Sequence, residues 1–453
     1  MLLLQACNKI ISVPANAAGQ IVTSQVFTDS SNATEGVIGL YASYTIGTWY
    51  PDIYGGLGAD ELLYNGTSNA VATAYYRDSL YVGSSTLSSS SSSFWDTYYG
   101  SDCIYRTNAA LEGLVADSLL STSVRNQLVG ECKFMRAFFY FYLVNRFGDV
   151  PYVTSTDYRV NQALPRTPVN TVYNNLEQDL LLARQFMQPA YPSNGRLRPN
   201  RYTADALLAR LYLYRQQWSN AETRCDSILN SGLYALVSNL DNVFLAGSQE
   251  AILQLGSSLS SYPKIAPYEG SPFLPILSFI APTYSLSPFV IQAFDSGDLR
   301  QSHWVASSKI GTTTYTYAYK YKSSVFSNPY NTTEDLMVFR LAEIYLIRAE
   351  ARAQQGNLAG AMEDINVIRS RAGLGAATAG SLTEAMGVIL HERQTELFTE
   401  WGHRWFDLKR TDSLNAVLGR EKSWWPADGH AALYPIPYTD ILYNPNLTQN
   451  PGY

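Results

Sequence analysis

From residue 103 to residue 232, apolar positions recur at helical spacing, with polar residues on the opposite faces. The first of these segments, SDCIYRTNAALEGLVADSLL, ends near Ser121, and Thr122 or Ser123 can cap the next, SVRNQLVGECKFMRAFFYFYLVNRFGDVPYV. That helix should stop at Gly148, because a left-handed glycine closes a helix and Pro151 bars its continuation. Its stretch Phe138–Tyr142 is aromatic all round and must be enclosed by neighbours. A further helix is expected from Thr167–Pro168, with Leu176, Leu180, Ala183 and Met187 on one stripe.

The pattern then repeats. ADALLARLYLYRQQWSNAETRCDSILNSG (204–232) resembles AEIYLIRAEARAQQGNLAGAMEDINVIRSRAG (342–373) at an offset of 140 positions. Leu207, Ala209, Leu211, Leu213, Trp218, Ala221, Cys225 and Ile228 align with Ile347, Ala349, Ala351, Ala353, Leu358, Ala361, Ile365 and Ile368. Small residues on a first helix and aliphatics on a second are what a tight helical hairpin requires, a pattern similar to tetratricopeptide repeats.

Elsewhere the periodicity breaks. Helical spacing over 36–47 gives way to TWYPDIYGGLGADELLYNG (48–66), whose glycines and proline predict a loop. The serine tract at 84–93, leading into FWDTYYG, predicts a flexible loop. Between the two repeat copies, 233–335 is rich in Ser, Gly, Pro and Tyr, with TTTYTYAYKYK (312–322) reading as a strand. Long irregular segments on a helical scaffold commonly carry binding.

Composition narrows the function. Of 453 residues only 15% are charged, the net charge is −6, and no basic stripe exists, which argues against nucleic-acid binding. Tyrosine dominates the aromatics, 34 against 17 Phe and 8 Trp, giving flat apolar faces with hydroxyl tips suited to uncharged polar ligands such as sugars. The cysteines Cys7, Cys103, Cys132 and Cys225 form no metal-binding spacing, and Cys132 and Cys225 fall within helical patterns as buried thiols. No stretch of about twenty apolar residues could cross a membrane as a helix. The opening MLLLQAC matches the end of a bacterial lipoprotein signal, although only six residues precede Cys7, and residues 8–30 read as a tether.

No catalytic constellation stands out. HERQT (391–395) begins like the zinc-protease motif but ends in Thr395. Asp60 and Glu61 are sequence neighbours, which says nothing of two carboxyls facing one glycosidic bond. His303, His391, His403 and His430 have no paired spacing, and neither a nucleophile elbow nor a phosphate-binding glycine loop occurs. A non-catalytic protein without metal or cofactor is therefore expected.

Four segments carry a family resemblance: RAFFYFYLVNRFGDVPYV (136–153), the hairpin at 342–373, HERQTELFTEWGHRWFDLKR (391–410) and YPIPYTDILYNPNLTQNPGY (434–453). In this order they resemble the SusD/RagB family of cell-surface nutrient-binding lipoproteins. The resemblance implies a mainly α fold of four tetratricopeptide-like helix pairs with a smaller loop-and-strand region. It implies an outer-membrane protein lipid-anchored through Cys7, and a SusC-like TonB-dependent transporter to which it delivers captured oligosaccharide. On this reading residues 1–20 hold the signal remnant and tether, and 21–453 form one domain. Its scaffold lies at about 100–232 and 336–410, and its variable loops at about 40–99 and 233–335.

A capture protein needs aromatic faces for pyranose rings and polar side chains for their hydroxyls. The foremost candidates are Trp49, Tyr50 and Tyr54, with Asp52 as acceptor; then Trp95, Asp96, Tyr98 and Tyr99; then Tyr262, Tyr268, Tyr284 and Trp304. Placed on a loop, Trp49 and Tyr54 should be replaceable without loss of stability. The RAFFYFY aromatics read as core, and WFDLKR as structural, with Trp405 buried and Arg404 paired to Asp407. Peptide capture on the same fold, a helical-repeat scaffold that binds only proteins, and a glycosidase are the alternatives.

Overall fold

The computed structural model describes residues 26–27, 29–44, 49–100, 102–116, 119–256, 267–326 and 333–453; Cys7 and Tyr262 lie outside them. The amino-terminal part contains α1 (Ser30–Tyr44), α2 (Trp49–Gly58), β1 (Leu62–Tyr64), α3 (Ala70–Tyr76) and α4 (Ser92–Tyr98). A helical array follows: α5 (Cys103–Ala116), α6 (Thr122–Phe147), the single turn α7 (Tyr158–Asn161), α8 (Val169–Phe186), α9 (Arg201–Tyr214) and α10 (Trp218–Leu229).

The segment between the repeat copies holds β2 (Ala251–Leu255), β3 (Tyr284–Leu286), α11 (Pro288–Ala293), α12 (Leu299–Trp304), β4 (Val305–Ile310), β5 (Thr313–Ala318) and β6 (Leu336–Arg340). The array then resumes with α13 (Leu341–Gln354), α14 (Leu358–Arg371), α15 (Leu382–Glu396), α16 (His403–Arg410), α17 (Leu414–Glu421) and α18 (Tyr438–Tyr443). Among the described residues the strands form only two-stranded antiparallel pairs: β1 with β3, β2 with β6, and β4 with β5. The fold is mainly α.

The repeat is realised position for position. α9 and α13 begin 140 residues apart, as do α10 and α14, and the left-handed turn residues Gln216 (φ 56°) and Gly356 (φ 83°) keep the same offset. Of the aligned residues, Trp218 and Leu358 are half-buried and all the others are fully enclosed. α10 packs on α13, so the hairpins stack directly. Arg210 of α9 joins them further, donating to both carboxylate oxygens of Glu343 on α13 at 2.7 and 2.8 Å in a buried pair.

Helix α6 does end at Gly148 (φ 72°), but Ser121, not Thr122 or Ser123, caps its start by accepting from the Val124 amide at 3.4 Å. Phe138–Tyr142 are enclosed, and Leu176, Leu180, Ala183 and Met187 are buried. The thiols of Cys103, Cys132 and Cys225 are free and buried.

One loop expectation is overturned. Trp49–Gly58 is helical, because Pro51 falls in the first turn, where its missing N–H costs nothing. The glycines there permit close packing and do not mark a turn. A Cβ on Gly55 would lie 2.6 Å from Arg146 Nη2 and 2.9 Å from the Gly402 Cα, and one on Gly58 would lie 2.9 Å from the Trp405 ring. The serine tract is a loop up to Ser91, as expected, and its hydroxyls tie it down: Ser89 and Ser90 donate to the Tyr81 carbonyl at 2.9 and 3.2 Å, and Ser91 to the Pro435 carbonyl at 2.6 Å. All three serines are buried.

One pairing also changes. Trp405 is buried, but Arg404 holds Asp60 at 2.6 and 2.7 Å, while Asp407 takes Arg393 at 2.7 Å and Arg410 at 2.9 Å. Arg404 thereby fastens the α2–β1 turn to α16.

Candidate functional site

Helix α2 is buried from Pro51 onward, but its first residues, Trp49 and Tyr50, remain half-buried at the surface. Their rings lie 4.5 Å apart between centroids. Tyr268, in the tight turn Tyr268–Gly270 and 41% exposed, brings its ring to 5.7 Å from Trp49. Two segments far apart in the chain thus make one aromatic patch.

The patch rests on a buried column. Tyr54 stacks under Tyr50 at 5.4 Å with ring planes 4° apart, and on Tyr75 at 3.9 Å and 7°. Tyr54 is 6% exposed, so it supports the patch from below and offers no ligand face. Asp52 does not serve as a surface acceptor either. It is buried with Oδ1 unpaired, and burial, then the nearby Glu269 and Glu400, push its pKa well above the ordinary value.

The second candidate group divides in the same way. Trp95 and Tyr98 face inward on α4 and are enclosed; Trp95 donates its Nε1–H to Asp440 Oδ1 at 2.9 Å. These two are core because α4 packs against α6. Tyr99 is half-buried and Asp96 exposed. Surrounding protein and the Asp440 carboxylate raise Asp96 to about 6. Tyr50 packs against Phe94 of α4 at 6.3 Å between centroids; burial raises its phenol, and Thr97 and Ser93 of the same helix oppose the rise. α4 therefore forms a polar wall beside the patch.

Of the described members of the third group, Tyr268, Tyr284 and Trp304, only Tyr268 reaches solvent. Trp304 is wholly enclosed, donates to the Leu240 carbonyl at 3.0 Å and lies under the Lys320 ammonium at 4.9 Å. Tyr284 is buried on β3 directly opposite Tyr64 of β1, their rings 5.8 Å apart. Tyr64 stays half-buried. Its placement depends on a strand pair made between distant segments, so no local pattern announces it. Among the described residues no group of His, Cys, Asp or Glu is placed to hold a metal ion.

Comparison with known proteins places this geometry. The family model described as "SusD family" matches residues 287–453, and one described as "Starch-binding associating with outer membrane" matches residues 39–213. SusD-like protein P2 of Formosa agariphila is 28% identical, over 80% of each chain. A SusD superfamily protein from Bacteroides vulgatus superposes with a TM-score of 0.80 at 20% identity, covering 94% of this chain and 100% of the other. A laminarin-binding SusD-like protein superposes with a TM-score of 0.76 at 23% identity, covering 93% and 99%.

The chain belongs to the SusD/RagB family. The first match spans β6, the second repeat hairpin and the carboxy-terminal segment; the second spans Trp49 and Tyr50 of the patch, α4 and the first array helices, and Tyr268 falls between the two. In this SusD-family chain the patch is built from the start of α2 and a turn in the irregular segment.

Proposed function

We propose that this SusD-family protein captures neutral oligosaccharide at the outer face of the outer membrane and passes it to a SusC-like TonB-dependent transporter. It performs no chemistry of its own and is held to the membrane by lipid on Cys7. The observation that carries the reading is the convergence of Trp49, Tyr50 and Tyr268 on one surface, beside the hydroxyls and carboxylate of α4. The ring faces stack on the C–H faces of pyranoses, while Ser93, Asp96 and Thr97 take hydroxyl hydrogen bonds. Each stack contributes about 1 kcal/mol, so two or three with hydrogen bonds give roughly micromolar to millimolar affinity, weak enough for release.

The family assignment and the laminarin-binding relative support a glycan as ligand, and the low charge of the chain favours a neutral one. The test is retention on immobilised neutral polysaccharides, host-type glycans and peptide mixtures, with reducing ends followed over time. Retention by one glycan class without new reducing ends supports the proposal. Retention by peptides alone, or release of reducing ends, refutes it.

A further inference from the structure

On the far side of α4 from the patch lies an open cleft of about 490 Å³ between the start of α5, the turn α7 and the carboxy-terminal helix α18. Its walls are braced. Trp95 holds Asp440 at 2.9 Å, and the Asn444 and Asn446 side-chain amides donate to the Leu164 and Ala163 carbonyls at 2.8 Å each. Within it stand Tyr105, Tyr158 and Tyr443, 49%, 71% and 79% exposed, with Tyr99 at its base. Among the described residues no hydrogen bond ties down these four phenol hydroxyls or the Gln162 amide.

This lining selects a chemical class. It contains no Lys or Arg. Arg106 and Arg159, next in the chain to two of the tyrosines, are held by Asp102 at 3.3 Å and Asp157 at 2.7 Å. An anionic ligand would find no counter-charge, and a hydrocarbon would bury the phenol hydroxyls and the Gln162 amide unpaired at a cost. Exposed ring faces combined with these hydroxyls and the Gln162 amide suit a neutral polyhydroxylated chain.

The cleft and the patch share a wall. On α4, Trp95 holds Asp440 of the cleft at 2.9 Å, while the neighbouring Phe94 ring lies 6.3 Å from the Tyr50 ring of the patch. We propose that the cleft is a second site for neutral glycan, and that one long chain runs from the Trp49 patch across α4 into it. This rests on the glycan reading above. Two linked sites raise the affinity for polymer well beyond that for short fragments, because the second contact is intramolecular.

The test uses the full chain against the neutral polysaccharide it retains and the trisaccharide derived from it, in wild type, Tyr158→Ala/Tyr443→Ala and Trp49→Ala/Tyr268→Ala. Loss of two exposed stacks should weaken polymer binding roughly 25-fold. Thermal unfolding should be unchanged, and the preference for polymer over trisaccharide should shrink. Polymer affinity within twofold of wild type in Tyr158→Ala/Tyr443→Ala overturns the second site; if Trp49→Ala/Tyr268→Ala still loses binding, the first site stands. Failure of wild type to retain any neutral glycan overturns both.

Discussion

Trp49 and Tyr268 meet with ring centroids 5.7 Å apart, although one opens α2 and the other stands in the segment between β2 and β3. Trp49→Ala and Tyr268→Ala should each weaken glycan binding about fivefold, since each removes one stack of about 1 kcal/mol. Tyr268→Ala should leave the thermal midpoint nearly unchanged, because the side chain is exposed. Isothermal titration and thermal unfolding on the same samples check both statements. Unchanged affinity in the two variants would remove the patch from the binding surface.

Tyr54 and Trp304 behave differently. Both are enclosed, Tyr54 between two stacked tyrosines and Trp304 beneath Lys320. Each alanine variant should lose about 3–5 kcal/mol of stability through the cavity left behind. Urea unfolding midpoints measure this, and a loss below about 1 kcal/mol would contradict the packing described.

The glycines supply a matched pair. Gly55→Ala places a methyl against Arg146 and the Gly402 backbone and should destabilise by roughly 1–3 kcal/mol. Gly387, inside α15, has nothing within 4 Å of an added Cβ and no left-handed φ. Gly387→Ala should therefore stabilise by about 0.5–1 kcal/mol through helix propensity. Opposite signs in chemical denaturation are the expected outcome; the same sign in both would show that α2 does not pack as described.

Glu61 gives a pH dependence. It is fully enclosed, with Oε2 unpaired, and burial, then the adjacent Asp60, raise its carboxyl from 4.5 to about 8. The folded state thus holds a proton that the unfolded state loses. Between pH 4.5 and 8 folding is progressively penalised, and above 8 the penalty is constant. Glu61→Gln removes this titration, so its stability relative to wild type should rise across that window and level off beyond it. Parallel stability profiles for the two proteins would contradict a protonated Glu61.

Much of the scaffold was legible. The hairpin repeat, the end of α6 at Gly148 and the enclosed Phe138–Tyr142 stretch follow from helical spacing and from glycine's left-handed conformation. The same reading misjudged the helix at Trp49–Gly58 and gave no sign of what holds the serine loop. Gly55 and Gly58 answer to Arg146, Gly402 and Trp405, and Ser91 answers to Pro435, none of them within reach of a local window. The ion pair of Arg404 moved from Asp407 to Asp60 for the same reason.

The candidate site was legible only in its residue types. A Trp-Tyr-Pro stretch and scattered tyrosines pointed to ring-stacking surfaces, but Trp49, Tyr50 and Tyr268 reach solvent while Tyr54, Trp95, Tyr98, Tyr284 and Trp304 do not. Tyr105, Tyr158 and Tyr443 carried no signal beyond being tyrosine. By itself the sequence determined the helical repeat, its turns and its family motifs, because those depend on periodicity and backbone preference within a few residues. Which aromatic rings face water, and which distant ones share a surface, only the tertiary structure decided, because the burial of a side chain is set by neighbours that the fold brings from elsewhere in the chain.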